Sequence, residues 1–335
     1  SGRKLFFFPD YMHGNPYQTM LYQQLKHRGV ELVGVDSLKP LRSQEIQVEI
    51  GDVLHIHWIN ILTKGVEEEH FDHIFETFLD DLTYLKDKGL RLLWTVHNRY
   101  SHDLPNIARE HDFRSKMSGL VNKLIVHHPI LLSEISDWLP ANVPVAFLEH
   151  GSYQSWFENS LPRHEARESL GLEPTDKVVT IIGQVRPYKD LPSVIPAIAE
   201  AMSGDARLKL VVAGKVSCPT TLRMLQDLPG EQLILENRFI EDSSVQNYMN
   251  ASDFVLLCYR DILTSGALFQ SLTFGIPLFA IDKGSIPAYV IPGVNGYLYQ
   301  SSTELMKLLQ HAFFEPQHLR KQTERLMVKL PSWPK

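Results

Sequence analysis

Two cations three residues apart, Arg186 and Lys189, stand in the stretch IIGQVRPYKDL at 181–191, after one apolar run and before another. A guanidinium and an ammonium at the carboxyl end of a strand, beside a helix N-terminus, would neutralise a diphosphate. Taken alone, they would equally be two solvated loop charges. A second stretch, RDILTSGALFQSLTFGIP at 260–277, follows the apolar run Phe254–Cys258 and puts Thr264-Ser265-Gly266 where a helix begins. Unsatisfied amides of a first helical turn suit an anion, yet Thr264 and Ser265 are also good helix caps in their own right. Both stretches follow strands of the same half of the chain, and that co-occurrence favours an anion site. Lys215, Tyr259 and Gln270 belong to the same set of neighbouring segments. The loop Arg238-Phe239-Ile240-Glu241, just before a helix start at Asp242-Ser243-Ser244, would wall a nucleobase pocket or be an ordinary connection.

The N-terminal half offers groups for proton transfer. FPDYMHGNPYQ puts Asp10 and His13 in the first loop, ahead of a Gly14-Asn15-Pro16 turn, and WTVHNRYSHD puts His97 at a strand end with His102 and Asp103 beyond. FLEHGSY adds Glu149 and His150, and HIHW sets His55 and His57 on one face of a strand. These spacings match no compact zinc pattern, so neutral histidines hydrogen-bonding backbone or ligand are expected in place of a metal site.

Such loops need a scaffold, and the chain supplies strand-then-helix alternation. Strands are expected at Leu5–Phe8, Glu31–Val35, Val53–Trp58, Arg91–His97, Lys123–His128 and Val143–His150, with helical patterns at Glu67–Lys88 and Ile130–Leu139. After a polar stretch at 151–176, holding the short helix RHEARESLG, a second series follows at Val178–Ile182, Leu208–Ala213, Leu233–Leu235, Phe254–Cys258 and Leu278–Ala280. Alternation of this kind predicts parallel sheets covered by helices on both faces, an α/β fold of two Rossmann-like domains facing across a cleft. The expected division is an N-terminal Rossmann-like domain at 1–150, a linker at 151–176, a C-terminal Rossmann-like domain at 177–310, and helices at 311–335 packing back on the first domain.

Composition narrows the classes. A net charge of −6 over 335 residues argues against nucleic acid as a partner. Two separated cysteines, Cys218 and Cys258, and the lack of a leader-like N-terminus or a bilayer-length apolar run lead to the expectation of a cytoplasmic protein. No G-x-G-x-x-G follows the first strand, no G-x-x-x-x-G-K-[ST] occurs, and no two aspartates lie two residues apart to hold a metal on a diphosphate. Arg99, Arg109, Arg114, Lys116 and Lys123, interleaved with Tyr100, Phe113 and Met117, would rest on an anionic membrane face or form a solvated helix, Asp103, Glu110 and Asp112 interrupting the charge.

Taken together, GQVRPYKDL, AGK, ASDFVLLCYRD with TSGALFQSLTFGIP, and IPGVNGYLY resemble the donor domain of GT-B glycosyltransferases of group 1. GNPYQTMLYQQLKHRGVEL stands in place of that family's glycine-rich first loop, and the whole loosely resembles bacterial exopolysaccharide mannosyltransferases of the xanthan-assembly kind. The resemblance implies that Arg186, Lys189, Thr264, Ser265 and Gly266 hold a sugar-nucleotide diphosphate, that His97 reaches toward the donor sugar, and that 238–241 wall the base. Retaining members carry two glutamates eight positions apart. Here the second position is Gln270 and the first falls near Asp261 or Ile262, which favours an inverting transfer with a base from the first domain, Asp10 before His13 or His97. The expected function is metal- and cofactor-independent transfer of a hexose, with mannose from GDP-mannose first, to a glycan or polyprenyl-diphosphate-linked acceptor at the cytoplasmic membrane face. The alternatives are a non-hydrolysing sugar-nucleotide epimerase and a non-catalytic glycan- or nucleotide-binding subunit.

Overall fold

The computed structural model describes residues 3–102, 107–312, 316–327, 330 and 332–333. Two compact units emerge, Ser1–Gly151 with Trp333–Lys335, and Ser152–Ser332. The first holds six parallel strands, β1 Lys4–Phe8, β2 Glu31–Gly34, β3 Val53–Ile56, β4 Arg91–Thr95, β5 Lys123–Val126 and β6 Val145–Phe147, in the order β2-β1-β3-β4-β5-β6. The second holds β7 Lys177–Ile182, β8 Leu208–Ala213, β9 Leu233–Glu236, β10 Phe254–Leu257, β11 Leu278–Ile281 and β12 Gly296–Tyr299, in the order β12-β11-β10-β7-β8-β9. Central strands such as Leu5–Phe8 and Phe254–Leu257 are buried throughout, because helices cover a parallel sheet on both faces. The Phe71–Asp87 helix shows how: Phe71, Phe75, Phe78, Leu82 and Leu85 recur at three- and four-residue spacing and are buried.

Four expectations change. The pattern at 130–139 forms only a 3-10 turn, Pro129–Leu132; Ser133 and Ser136 hydroxyls donate to the carbonyls of Ile130 and Ser133, local bonds that compete with a helix. Residues 152–176 are no linker. Their Arg163–Ser169 helix docks on the Val245–Ala251 helix, with Arg163 and Arg167 both paired to Asp253, at 2.5 and 2.9 Å. The Pro316–Met327 helix packs within the second unit, where the Arg320 guanidinium donates to the Ser252 carbonyl at 3.0 Å. Only Trp333 of the described tail lies in the first unit, its ring 5.2 Å from those of Tyr17 and His150. Finally β12 is an unexpected strand; a Cβ at Gly296 would come 2.3 Å from the Leu278 carbonyl oxygen, so only glycine lets it pair with β11. Among the described residues no helix is long and apolar enough to cross a membrane.

The strand orders reverse direction between β1 and β3 in one sheet and between β7 and β10 in the other. At such switch points successive loops diverge and leave a crevice beyond the strand carboxyl ends.

Candidate functional site

The loops after β7 and β10 emerge side by side at the switch point of the second unit. Gly183 closes β7 with φ of 84°, and the Lys189 side chain passes over it to donate Nζ to the Ile182 carbonyl at 2.9 Å. Lys189 is only 8% exposed, and burial pushes its ammonium down to about 8. Cys258 lies close enough to favour that charge, but burial pushes its thiol up to about 12, so it supplies no anion. Arg186 is exposed, and its Nε donates to Gln184 Oε1 at 3.0 Å.

Ser265 is buried and caps the Gly266–Thr273 helix, accepting from the Leu268 N–H at 3.2 Å while 2.8 Å from the Tyr259 hydroxyl. Capping leaves room for an anion here, since one hydroxyl satisfies one of several first-turn amides and Gly266 remains exposed. Thr264 accepts from the Ser285 hydroxyl at 3.4 Å, and Gln270 is half-buried on the same helix. The two loops are bonded to each other. The Arg260 N–H donates to the Tyr188 carbonyl at 2.9 Å, Tyr188 and Tyr259 stack with centroids 6.0 Å apart, and Arg260 lies 3.5 Å from Asp190.

Two glycines not singled out in the sequence hold this edge. A Cβ at Gly214 would sit 2.1 Å from the Gly183 carbonyl oxygen, so the loop after β8 reaches Val185 only with glycine there. Gly284, with φ of 57°, lies against the carbonyls of Ile262 and Leu263. Lys215 is exposed on the β8 loop, whose carbonyl accepts from Val185 N at 2.9 Å. In the loop after β9, Arg238 pairs with Glu236 at 3.0 Å, Phe239 is 71% exposed, Glu241 is exposed, and Ile240 is turned into the core. Phe239 is therefore the side chain of this loop open to stacking, and Ile240 is not part of a wall.

In the first unit, buried Gln18 pins the loop after β1, accepting from Tyr11 N at 2.8 Å and donating to the Pro9 carbonyl at 2.9 Å; the Phe8–Pro9 bond is cis. Asp10 is half-buried, accepts from Met12 N at 3.2 Å through Oδ1, and lies over Gly34, where any Cβ would fall 2.2 Å from Oδ2. His13 and Gly14 are exposed on that loop, with open space around Gly14, and Asn15 caps the Pro16–Lys26 helix.

His55, His57, His97, His127 and His150 converge with Tyr17, Tyr22, Trp58 and Trp333. Trp58 stacks on His97 at 4.1 Å, Tyr17 meets His97 edge-on at 4.9 Å, and His127 and His150 lie 5.7 Å apart. Burial first, and neighbouring imidazoles second, hold His55 and His150 down to about 3; burial holds His127 down to about 4, while His57 and His97 are lowered too. The HIHW alternation signals part of this cluster; Tyr17, Tyr22, His127 and Trp333 carry no spacing signal toward it. Among the described residues no three of His, Cys, Asp and Glu are arranged to hold a metal ion.

The basic stretch reads differently once folded. Arg99 pairs with Asp137, Arg109 with Glu68 and Asp72, Arg114 with buried Glu110 at 2.6 Å, and Lys116 with Asp112. Four of its five cations are thus paired inside the unit, while Lys123 is exposed. Asp103 lies outside the described residues.

Residues 162–325 match the family described as glycosyl transferases group 1. The GDP-mannose:glycolipid 4-beta-D-mannosyltransferase of Xanthomonas campestris pv. campestris is 22% identical over 273 residues, 79% of this chain and 69% of that one. Anabaena HepE, solved in complex with UDP-glucose, superposes with a TM-score of 0.73 at 12% identity over 99% of this chain and 96% of its own. Sucrose-phosphate synthase of Thermosynechococcus elongatus gives a TM-score of 0.70 at 15% identity, over 99% and 96%.

Proposed function

We propose that the chain is a GT-B glycosyltransferase, its residues 162–325 matching the group 1 family, and that it moves mannose from GDP-mannose to a lipid-linked glycan with inversion at the anomeric carbon. A sugar-nucleotide donor follows from the family and from neighbours solved with UDP and UDP-glucose. The observation that carries the reading is the bonded pair of loops at the β7/β10 switch point. It sets Arg186, Lys189 and the amides at Gly266 along one sheet edge. Mannose and a glycolipid acceptor draw support from the activity for which the Xanthomonas relative is named.

Charge grows on the departing diphosphate as the sugar leaves. Arg186, Lys189 and the helix N-terminus offer fixed positive charge to it, so a divalent ion is not required in this reading. Gln270 in place of a glutamate removes one donor-side carboxylate, and Asp10 is proposed to take the acceptor hydroxyl proton. Its pinned loop and its seat over Gly34 support a fixed carboxylate. Phe239 is proposed to stack on the base and Arg238 to border it. Contact with a membrane through the acceptor lipid is part of this proposal.

The test is NMR of the product from a panel of GDP- and UDP-sugars with a polyprenyl-diphosphate-linked acceptor, in EDTA. Consumption of GDP-mannose and a β-linked product are expected, with Asp10→Asn lowering kcat at least about a hundredfold at nearly unchanged donor affinity. An epimerised nucleotide sugar formed without acceptor would instead identify an epimerase. Binding without turnover would identify a non-catalytic subunit.

A further inference from the structure

A buried chain of hydrogen bonds runs up to His97. Thr95 Oγ1 and His55 Nε2 are 2.7 Å apart, His55 Nδ1 and the Tyr22 hydroxyl 2.8 Å, that hydroxyl and His57 Nε2 2.5 Å, and His57 Nδ1 and His97 Nε2 3.0 Å. Thr95 and Tyr22 are fully buried, His57 is 1% exposed and His55 4%. The placement follows from the fold. His55 and His57 share one side of β3 and its extension, Thr95 and His97 come from neighbouring β4, and Tyr22 arrives from the Pro16–Lys26 helix.

Every ring in the chain is held neutral by burial. A neutral imidazole has one N–H and one bare nitrogen, and a hydroxyl has one proton. Each link therefore carries one proton, and the chain points wholly one way or wholly the other. Thr95 decides between them. Among the described residues its hydroxyl has His55 as its hydrogen-bond partner, and a buried O–H left without an acceptor is worse than a hydroxyl with an unused lone pair. Thr95 thus donates to His55 Nε2, His55 Nδ1–H to Tyr22, Tyr22 O–H to His57 Nε2, and His57 Nδ1–H to His97 Nε2.

We infer that Thr95, His55, Tyr22 and His57 are positioning residues that fix the His97 proton on Nδ1, so that His97 serves as a hydrogen-bond donor to a ligand oxygen and not as a base. Nδ1 becomes an acceptor only if all four bonds reverse and the Thr95 proton is stranded. Trp58 stacked on one face and Tyr17 at the edge hold the ring plane, so donor identity and direction are set before a ligand arrives. Hydroxyl and phosphoryl oxygens are the ligand groups such a donor selects; a ligand N–H or ammonium is refused.

The inference rests on the first unit alone and its test needs no turnover, so it stands or falls apart from the proposed transfer. Long-range proton–nitrogen correlation spectra of protein labelled with 15N-histidine separate protonated from bare ring nitrogens, and His97→Gln identifies the signals of interest. In the wild type, His97 Nδ1 should appear protonated and Nε2 bare. Thr95→Val, close in shape, removes the anchoring donor and should move the His97 Nδ1 signal toward the bare position as both directions become populated. Tyr22→Phe severs the chain and should do the same. A wild-type His97 protonated on Nε2 overturns the inference, as does a spectrum unchanged in both variants. Should Tyr22→Phe not fold, Thr95→Val and the wild-type spectrum still decide.

Discussion

The N–H of Arg260 donates to the carbonyl of Tyr188 at 2.9 Å and ties the loop after β10 to the loop after β7. In the proposed reading, that bond joins a helix cap and a pair of loop cations into one anion-binding edge. It also means that the site can be disturbed from residues that touch no ligand.

Lys189 illustrates a cost of such a site. Its ammonium titrates near 8 when folded and near 10.5 when unfolded, so between those values the unfolded chain holds the extra proton and stability rises with pH. Below about 8 the buried charge is a standing penalty of up to about 3 kcal/mol. Lys189→Met should therefore stabilise the free protein at pH 7 by about 1–3 kcal/mol in urea unfolding, abolish the rise toward pH 10, and weaken diphosphate binding. A variant less stable than wild type at pH 7 would contradict this.

Gly284 tests the edge from outside. Its φ of 57° disfavours any side chain, and a Cβ would fall 2.3 Å from the Ile262 carbonyl oxygen and 2.6 Å from that of Leu263. Gly284→Ala should cost about 1–3 kcal/mol of stability. By shifting the segment that leads into Thr264, it should also weaken GDP binding about tenfold, or ~1.4 kcal/mol. Calorimetry showing wild-type affinity would separate Gly284 from the site.

The histidine cluster predicts acid sensitivity. His55 and His150 titrate near 3 and His127 near 4 when folded, all below the ordinary 6.5. As pH falls below 6.5 the unfolded chain takes up these protons and the native state does not. The three together should then remove on the order of 4 kcal/mol of stability per pH unit. Unfolding followed by the fluorescence of buried Trp94 and Trp138 should become steeply easier between pH 6.5 and 5. A flat profile there would mean the rings are not neutral and buried.

Much of the second unit is legible in its sequence because the chemistry is local: Gly183, Arg186 and Lys189 sit within one turn of a strand end, and Ser265 immediately precedes the helix it caps. What is not legible depends on residues far apart. Tyr22 joins His55 and His57 across more than thirty positions, and Gly214 matters only because the Gly183 backbone passes over it. The stretch at 151–176 reads as a linker because its polar residues lack β-period, yet Arg167 uses its polarity to bind Asp253 and the carbonyls of Glu173, Pro174 and Asp176. Apolar periodicity at 130–139 suggests a helix, but serine hydroxyls there bond backward to the chain. Likewise the cations between Arg99 and Lys116 look free only until their acidic partners are brought in by folding.

The most direct measurement is the difference in calorimetric affinity between nucleoside diphosphate and monophosphate, made with GDP against GMP and UDP against UMP in EDTA. If Arg186, Lys189 and the helix start at Ser265 hold the diphosphate, the second phosphate should strengthen binding of the preferred base at least about tenfold, ~1.4 kcal/mol or more. Arg186→Ala, which removes an exposed side chain bonded, among the described residues, only to Gln184 in its own loop, should erase most of that gain while leaving thermal stability within about 2 °C. Equal affinity for monophosphate and diphosphate, or a gain that survives Arg186→Ala undiminished, would contradict the account.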